Sequence, residues 1–271
     1  MLGAAVYRLQ AKNTAKLQLS HGRLMHAAFF HALQEMDPEI SSQVHGMQTQ
    51  KPFTVSELKI LGSPVKQERN FMQIEEGRML EWRVTALNEM LVRCLHTIRP
   101  GTSVRVGTLS LEIAKCCMSP EEHPESGILS EEDLIAACLS IPHIREITFS
   151  FRSPVSFRYF NRDYPWPMPE YIFGSLADKW LLCDMPLALD RQEICTTAKE
   201  LLPRKWQGRS RTVFLKEDRG VLAFEGEFSY ETAHLPQEQQ QLLLLLAQFS
   251  VFSGVGRLTG HGLGQSRVKY R

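Results

Sequence analysis

Residues 252–271 have the sequence FSGVGRLTGHGLGQSRVKYR, which contains five glycines in a short stretch. Glycine tolerates positive φ and lets another group approach the main chain closely. Four cations accompany the glycines (Arg257, Arg267, Lys269 and Arg271), and residues 253–271 contain no Asp or Glu. Free backbone N–H groups and cations together favour an anionic partner, with phosphate as the first candidate. The alternative is that the glycines only form turns or a bulge.

Two commoner glycine motifs do not fit this stretch. A Walker loop ends in Gly-Lys-Ser/Thr, and the stretch has no Gly-Lys pair. A dinucleotide fingerprint starting at Gly254 and Gly256 would need its third glycine at Thr259, and too few residues follow for a βαβ unit. The pattern instead predicts a loop between an apolar helix and a short terminal strand.

Composition predicts a globular protein of two domains. The chain has 271 residues, 43% of them hydrophobic and 23% charged, and a formal net charge of +1. Six cysteines without a Cys-x-x-Cys pair, and a start that lacks a signal-like apolar core, predict reduced thiols and a cytoplasmic location. The five-leucine run at 242–246 is too short to cross a bilayer, so no membrane role is expected.

Charge is unevenly distributed along the chain. Residues 118–146 carry seven acids against Arg145 alone, whereas residues 201–216 carry five bases and no acid. A nucleic-acid surface would therefore arise from local placement of charge, since the net charge is nearly balanced.

The first part of the chain has the pattern β-α-β-β-α-β. Apolar spacing predicts a helix from Leu24 that ends at Asp37-Pro38 and leaves Phe30 on its outer side. A polar loop is expected over Ser41–Lys51. Asn88 is expected to cap a second helix. The predicted strands are Ala4–Gln10, Pro52–Ile60, Arg78–Leu87 and Thr102–Lys115.

After a Pro- and Gly-containing linker at 118–128 and a helix capped by Ser130, the same order returns. Strands are expected at 144–151, 211–216, 221–230 and 268–271, and helices at 170–182 and after Pro236, with a turn at Glu217-Asp-Arg-Gly. The predicted fold class is therefore α+β, with tandem ferredoxin-like (RRM-like) domains. The predicted limits are 1–117 and 144–271, joined by a connecting segment at 118–143.

Several motifs together resemble the CRISPR-associated endoribonucleases that cut repeat RNA, the Cas6 family. The glycine stretch resembles the C-terminal signature of that family. FRSPVSFR at 151–158, Pro167 and FGSLADKW at 173–180 resemble its central region, and Asp37-Pro38, His45 and KPFT at 51–54 resemble the segment after its first helix. The resemblance implies a tandem ferredoxin-like fold and cleavage of CRISPR repeat RNA by its own 2′-hydroxyl, with no metal and no cofactor. It allows effector-complex subunits and a homodimer as further partners.

The same resemblance implies a catalytic role for His45 and a phosphate contact for Lys51. Histidine suits proton transfer because its unperturbed pKa is about 6.5. The family often has a tyrosine where this chain has Phe30, so a second acid or base must come from elsewhere; the candidates are His26, His31 and His261. The alternative is that His45 only makes a structural hydrogen bond and that His26 and His31 are surface residues.

RNA contacts are expected from cations beside aromatic residues and from the glycine loop. Arg158 lies in an aromatic-rich segment, and Arg209 and Arg211 follow Trp206, although these segments could instead be a solvated strand face over a core. The predicted RNA-binding residues of the loop are Gly254, Gly256, Arg257, Gly260, His261, Gly262, Gly264 and Arg267. Two other functions stay open, a non-catalytic RNA-binding subunit of an effector complex and a binding module for another anionic ligand.

Overall fold

A computed structural model describes residues 1–47, 50–216 and 219–271. The chain forms two compact units, residues 1–128 with 260–262 and residues 129–259 with 263–271. The predicted domain limits stay predictions.

The described elements up to residue 129 are three helices and ten strands. They are β1 (Leu2–Ala11), β2 (Ala15–Gln18), α1 (Gly22–Met36), α2 (Pro38–Gly46), β3 (Phe53–Val55), β4 (Lys59–Ile60), β5 (Gln67–Glu68), β6 (Phe71–Ile74), β7 (Met79–Ala86), α3 (Glu89–Thr97), β8 (Ser103–Val106), β9 (Leu109–Cys117) and β10 (Gly127–Leu129).

The later elements follow in the order α4 (Glu131–Leu139), β11 (Glu146–Val155), β12 (Phe157–Tyr159), β13 (Arg162–Tyr164), α5 (Pro169–Leu182), α6 (Arg191–Lys199), β14 (Leu202–Lys216), β15 (Arg219–Glu231), α7 (Gln237–Ser253), a 3₁₀ turn (Thr259–His261) and β16 (Ser266–Tyr270). Among the described residues, none of the helices combines the length and the apolar character that a membrane crossing requires.

Both units have ferredoxin-like topology. The first sheet has the antiparallel order β3-β7-β1-β9-β8, and the second has the order β14-β15-β11-β16. In each, the first strand lies between the third and the fourth, as a β-α-β-β-α-β chain requires when both helices cover one face. The predicted fold class is confirmed.

Apolar side chains between sheet and helices form each core. In the first unit Tyr7, Phe29 and Trp82 are fully buried, and in the second Phe149 and Trp180 are. Burying one such side chain contributes roughly 1.5–3 kcal/mol to the free energy of folding. The apolar faces that the sequence predicts for strands and helices therefore face the cores.

The predicted polar loop at 41–51 is wrong over its first part, because α2 occupies it. Asp37, expected to end one helix, also begins the next: its Oδ1 accepts the N–H groups of Glu39 and Ile40, both at 3.0 Å. Pro38 fits the first helical position, where no N–H bond is needed. Phe30 was expected to point outward, but it is partly buried and packs on the core.

Other element limits also differ from the prediction. The strand predicted over Thr102–Lys115 is in fact two strands, β8 and β9, which form a hairpin that turns at Gly107 with φ 61°. Strand β4 is separate from β3, the small sheet β2-β6-β5 and helix α6 were not predicted, and β14 begins nine residues earlier than expected. The tip of its predicted turn, Glu217 and Asp218, lies outside the described residues. The segment expected to be a linker packs on the first sheet, where Arg83 Nε donates to the Glu125 carbonyl at 2.9 Å.

Candidate active site

A stacked pair of histidines forms the centre of the candidate site. His26, on α1, lies parallel to His261 with ring centroids 4.2 Å apart and an angle of 10° between the planes. The Nδ1 atom of His26 is 2.8 Å from the carbonyl oxygen of Gly260. Because that oxygen can only accept, Nδ1 carries the proton and donates it, which leaves the lone pair on Nε2.

Residues 260–262 lie directly against the start of α1. A Cβ built on Gly22 would be 1.8 Å from the carbonyl oxygen of His261, so only glycine fits at the beginning of this helix. The carboxylate of Glu57 accepts the N–H groups of His21 at 2.8 Å and Gly22 at 3.2 Å, which gives partners to two buried donors at the start of the helix. These contacts fix the position of His261 relative to His26 of α1.

Burial lowers the pKa of both stacked rings and so favours their neutral forms. Burial is the main cause that lowers the pKa of His26; the Gly260 carbonyl opposes it, while Lys51, His45 and Arg23 lower the pKa further. Burial also lowers the pKa of His261 to about 4, with His26 and Arg23 as lesser causes. A neutral His26 whose Nε2 lone pair is fixed has the properties of a proton acceptor.

Two phenylalanines connect this pair to His45. Phe53 of β3 lies 5.4 Å from the His26 ring, and Phe30 lies 4.9 Å from it, measured between centroids. The His45 ring meets the edge of Phe30 at 5.6 Å. The aromatic group therefore brings two of the predicted catalytic histidines, His26 and His45, into one cluster.

His45 is exposed and belongs to the last turn of α2, not to a loop. The ammonium of Lys51 donates to the carbonyl oxygen of His45 at 2.9 Å and to that of Met47. A cation at the last carbonyls of a helix stabilises its end. In this structure Lys51 thus holds the helix that carries His45.

His31 has the surroundings of a surface residue. It is exposed, and its Nδ1 lies 3.4 Å from the carboxylate of Glu35, one helical turn further along α1. Such exposed pairs contribute little to stability.

The glycine loop of the second unit is packed against the protein itself. Gly254, Gly256 and Gly264 have positive φ of 64°, 72° and 76°. A Cβ on Gly256 would be 2.6 Å from the carbonyl oxygen of Ser156, and one on Gly264 would be 2.2 Å from that of Val255. The close neighbours of these glycines are therefore backbone atoms of the loop and of Ser156, together with the side chain of Thr259. Gly262, in the first unit, also has positive φ, at 90°.

Hydrogen bonds within the second unit occupy most of the loop's donors. Val255 N donates to Gly264 O at 2.8 Å, and Gly264 N donates to Pro154 O at 2.9 Å. Gly256 N donates to the Ser175 hydroxyl at 3.1 Å. The fully buried Lys179 donates to the carbonyls of Ser253 at 3.1 Å and Gly254 at 2.6 Å, so it caps the end of α7. Sequence reasoning quoted Lys179 in a motif but assigned it no role.

Several predicted RNA-binding cations have acidic partners. Arg257 pairs with Asp163. Arg209 Nε is 2.7 Å and Arg211 3.4 Å from the carboxylate of Glu225, on the neighbouring strand. The absence of acids along 201–216 suggested an uncompensated patch, but the hairpin register places acids of β15 opposite it. Arg158 and Arg267 are exposed.

Within residues 1–47, 50–216 and 219–271, no group of three or more His, Cys, Asp or Glu side chains is arranged to hold a metal ion.

Comparisons with known proteins cover almost the whole chain. The model of the CRISPR Cas6 N-terminal domain matches residues 1–134, and that of the CRISPR-associated endoribonuclease Cas6 matches residues 149–266. No curated protein matches the chain significantly.

Solved Cas6 structures agree in fold over the full length. A Thermus thermophilus Cas6 in a product complex is 27% identical, with 99% of this chain and 100% of that chain covered and a TM-score of 0.76. A second Cas6, solved as a substrate mimic complex, is 24% identical, with 99% of each chain covered and a TM-score of 0.72; it supports the fold alone. With two family models that together span residues 1–134 and 149–266, the chain belongs to the CRISPR-associated endoribonuclease Cas6 family.

Proposed function

We propose that this protein binds CRISPR repeat RNA and cuts it by attack of a ribose 2′-hydroxyl on the adjacent phosphate, without a metal ion. The observation that carries the proposal is the hydrogen bond from His26 Nδ1 to the Gly260 carbonyl, with the His45 ring on the same aromatic residue, Phe30, that contacts His26. A neutral imidazole with its acceptor nitrogen fixed is suited to remove the hydroxyl proton, and an exposed second imidazole is suited to return a proton to the leaving group.

In the proposed reaction, His26 Nε2 takes the proton of the 2′-hydroxyl while O2′ forms a bond to phosphorus. The bond from phosphorus to O5′ breaks, and His45 gives a proton to O5′. The products are a 2′,3′-cyclic phosphate and a 5′-hydroxyl. Atoms and protons balance without any co-reactant, because cyclisation needs no water.

Lys51 supplies charge in this scheme. Its ammonium lies at the end of α2, where a phosphate bound beside His45 would offer it a stronger acceptor than a backbone carbonyl. Negative charge that develops on the phosphorane is then stabilised by a nearby cation.

The proposed RNA-binding residues would supply phosphate contacts or set the path of the loop backbone. They are Arg158, Arg209, Arg211, Arg257 and Arg267 with Gly254, Gly256, Gly260, His261, Gly262 and Gly264. Arg158 and Arg267 are exposed, which supports a direct contact. The packed glycines support an indirect role, since they set the path of the loop backbone.

The proposal extends to the setting in which the enzyme works. All six cysteines are free, which suits a cytoplasmic protein. Effector-complex subunits and a second copy of the chain are proposed as further partners.

The test uses the repeat RNA of the host in buffer with EDTA, together with the same RNA carrying one 2′-deoxynucleotide on the 5′ side of the cut. We expect a single cut in the unmodified RNA and none in the deoxy RNA, with equal binding of both. The 5′ fragment should resist 3′-end labelling, because its 3′ end is a cyclic phosphate. Treatment with an enzyme that removes cyclic phosphates should make the fragment a substrate for labelling. Cleavage of the deoxy RNA, or cleavage that stops in EDTA, would contradict the proposal.

A further inference from the structure

A short hairpin in the second unit presents an aromatic side chain in a strained turn. Strands β12 and β13 pair with the register Phe157 to Tyr164 and Tyr159 to Arg162. The two residues between them, Phe160 and Asn161, have φ of 45° and 59°. Two-residue hairpin turns with positive φ at both positions favour Asn and Gly. Asn161 fits this geometry, whereas a bulky residue such as Phe160 is disfavoured in it.

Burial does not explain why phenylalanine occupies this position. The side chain of Phe160 is 82% exposed, which is more than for any other large hydrophobic side chain among the described residues. The edge of Phe160 meets the ring of Tyr159, with centroids 4.5 Å apart. Tyr159 in turn packs against Tyr164 at 5.6 Å and Tyr171 at 5.8 Å, so the ring at the tip stands on a supported aromatic base.

The tip is also basic. Arg162 directly follows the two turn residues, Arg158 lies two residues before Phe160, and both are exposed. The acid of the hairpin, Asp163, is paired with Arg257. An exposed aromatic ring on the same hairpin as two exposed arginines matches a nucleobase and its neighbouring phosphates.

We propose that the tip of the β12–β13 hairpin binds an unpaired nucleotide of the RNA, with the Phe160 ring stacked on the base and Arg158 and Arg162 at its phosphates. A nucleobase needs one ring face, which this narrow tip offers, whereas a protein partner would need a larger apolar area. The strained turn is then explained, because asparagine or glycine would relieve the strain but offer no ring. This inference rests on the proposed function, since it assumes that the ligand is RNA.

The experiment compares Phe160→Asn, Phe160→Trp and the control Phe71→Asn in the full chain. Phe71, on β6 of the first unit, is also exposed, at 42%. We expect Phe160→Asn to weaken binding of the repeat RNA about tenfold, as loss of one stacked base would. The same substitution should leave the melting temperature unchanged or raise it, because Asn accepts positive φ. Phe160→Trp should bind like the parent, and so should Phe71→Asn.

A second measurement locates the nucleotide. With 2-aminopurine at each unpaired position of the repeat in turn, stacking on Phe160 should quench the fluorescence at one position, and Phe160→Asn should restore it. Equal RNA affinity of the parent and Phe160→Asn would overturn the inference, as would a loss of self-association with unchanged RNA affinity. If the parent itself fails to bind repeat RNA, the proposed function is wrong, which is a separate outcome.

Discussion

The two units share one strand order but carry different kinds of side chain at their surfaces. In the first unit, helices α1 and α2 and residues 260–262 bring three imidazoles and two phenylalanines together. In the second, the notable surface groups are the aromatic tip at Phe160 and cations along β14 and β16. The fold is therefore a scaffold in both cases, and the task of each unit is decided by a few residues placed on it. Under the proposed function, the first unit carries out proton transfer and the second supplies most of the RNA contacts.

The largest expected effect tests the assignment of chemistry to the first unit. His45→Ala should lower the single-turnover cleavage rate about 10²–10⁴-fold and leave RNA affinity nearly unchanged, since a general acid acts in the transition state. The matched control is His31→Ala, which removes an exposed histidine that pairs with Glu35. A variant at His45 that cuts at the parent rate would remove this residue from the mechanism.

The next effect concerns pH and His26. A base is active in its unprotonated form, so activity should fall as pH decreases through the pKa of His26. Burial lowers that pKa below 6.5, and the acidic limb of the rate profile should therefore lie below this pH. His26→Ala should remove the limb and reduce the rate about 10²-fold. An acidic limb that persists unchanged in the variant would assign the titration to another group.

The smallest expected effect tests whether the glycine loop of the second unit is structural. Gly256→Val places a Cβ 2.6 Å from the Ser156 carbonyl at φ 72°. The strain should cost about 2 kcal/mol of folding free energy, read as a lower midpoint of thermal or urea unfolding. Gly101→Val is the control, because Gly101 also has positive φ, at 90°, but no atom within 4 Å of its Cβ position. Equal losses in the two variants would mean that the contact with Ser156 adds nothing to the cost of positive φ. Loss of RNA affinity alone in Gly256→Val would mean that the loop backbone faces the ligand and not the protein.

Sequence patterns predicted the fold well where one residue decides the local structure. Asn88 caps α3 and Ser130 caps α4 as expected, because each side chain accepts a backbone N–H three residues later. The same rule was applied incompletely at Asp37. Asp37-Pro38 predicted the end of α1, but the same residue also caps the start of α2, and that second role was not predicted. The early part of β14 was missed because its cations and Pro203 do not alternate with apolar residues.

The candidate site was predictable in its residue types and not in its arrangement. His26 and His261 are far apart in the chain, and no local pattern indicates that their rings stack or that the Gly260 carbonyl sets the tautomer. The acids that pair with Arg209 and Arg211 depend on a strand register, which the sequence specifies only through the hairpin as a whole. Lys179 could have been noticed as a charged residue on the apolar face of a predicted helix, where it needs buried acceptors.

The inclusion of residues 260–262 in the first unit has a consequence for the order of synthesis. His26 is made early, but the carbonyl that orients it belongs to Gly260, 234 residues later. A nascent chain on the ribosome therefore contains the imidazole long before it contains the group that fixes the position of the proton. The imidazole of His26 therefore acquires its fixed tautomer only after residue 260 has been translated, and under the proposed mechanism a nascent chain shorter than that lacks the oriented base.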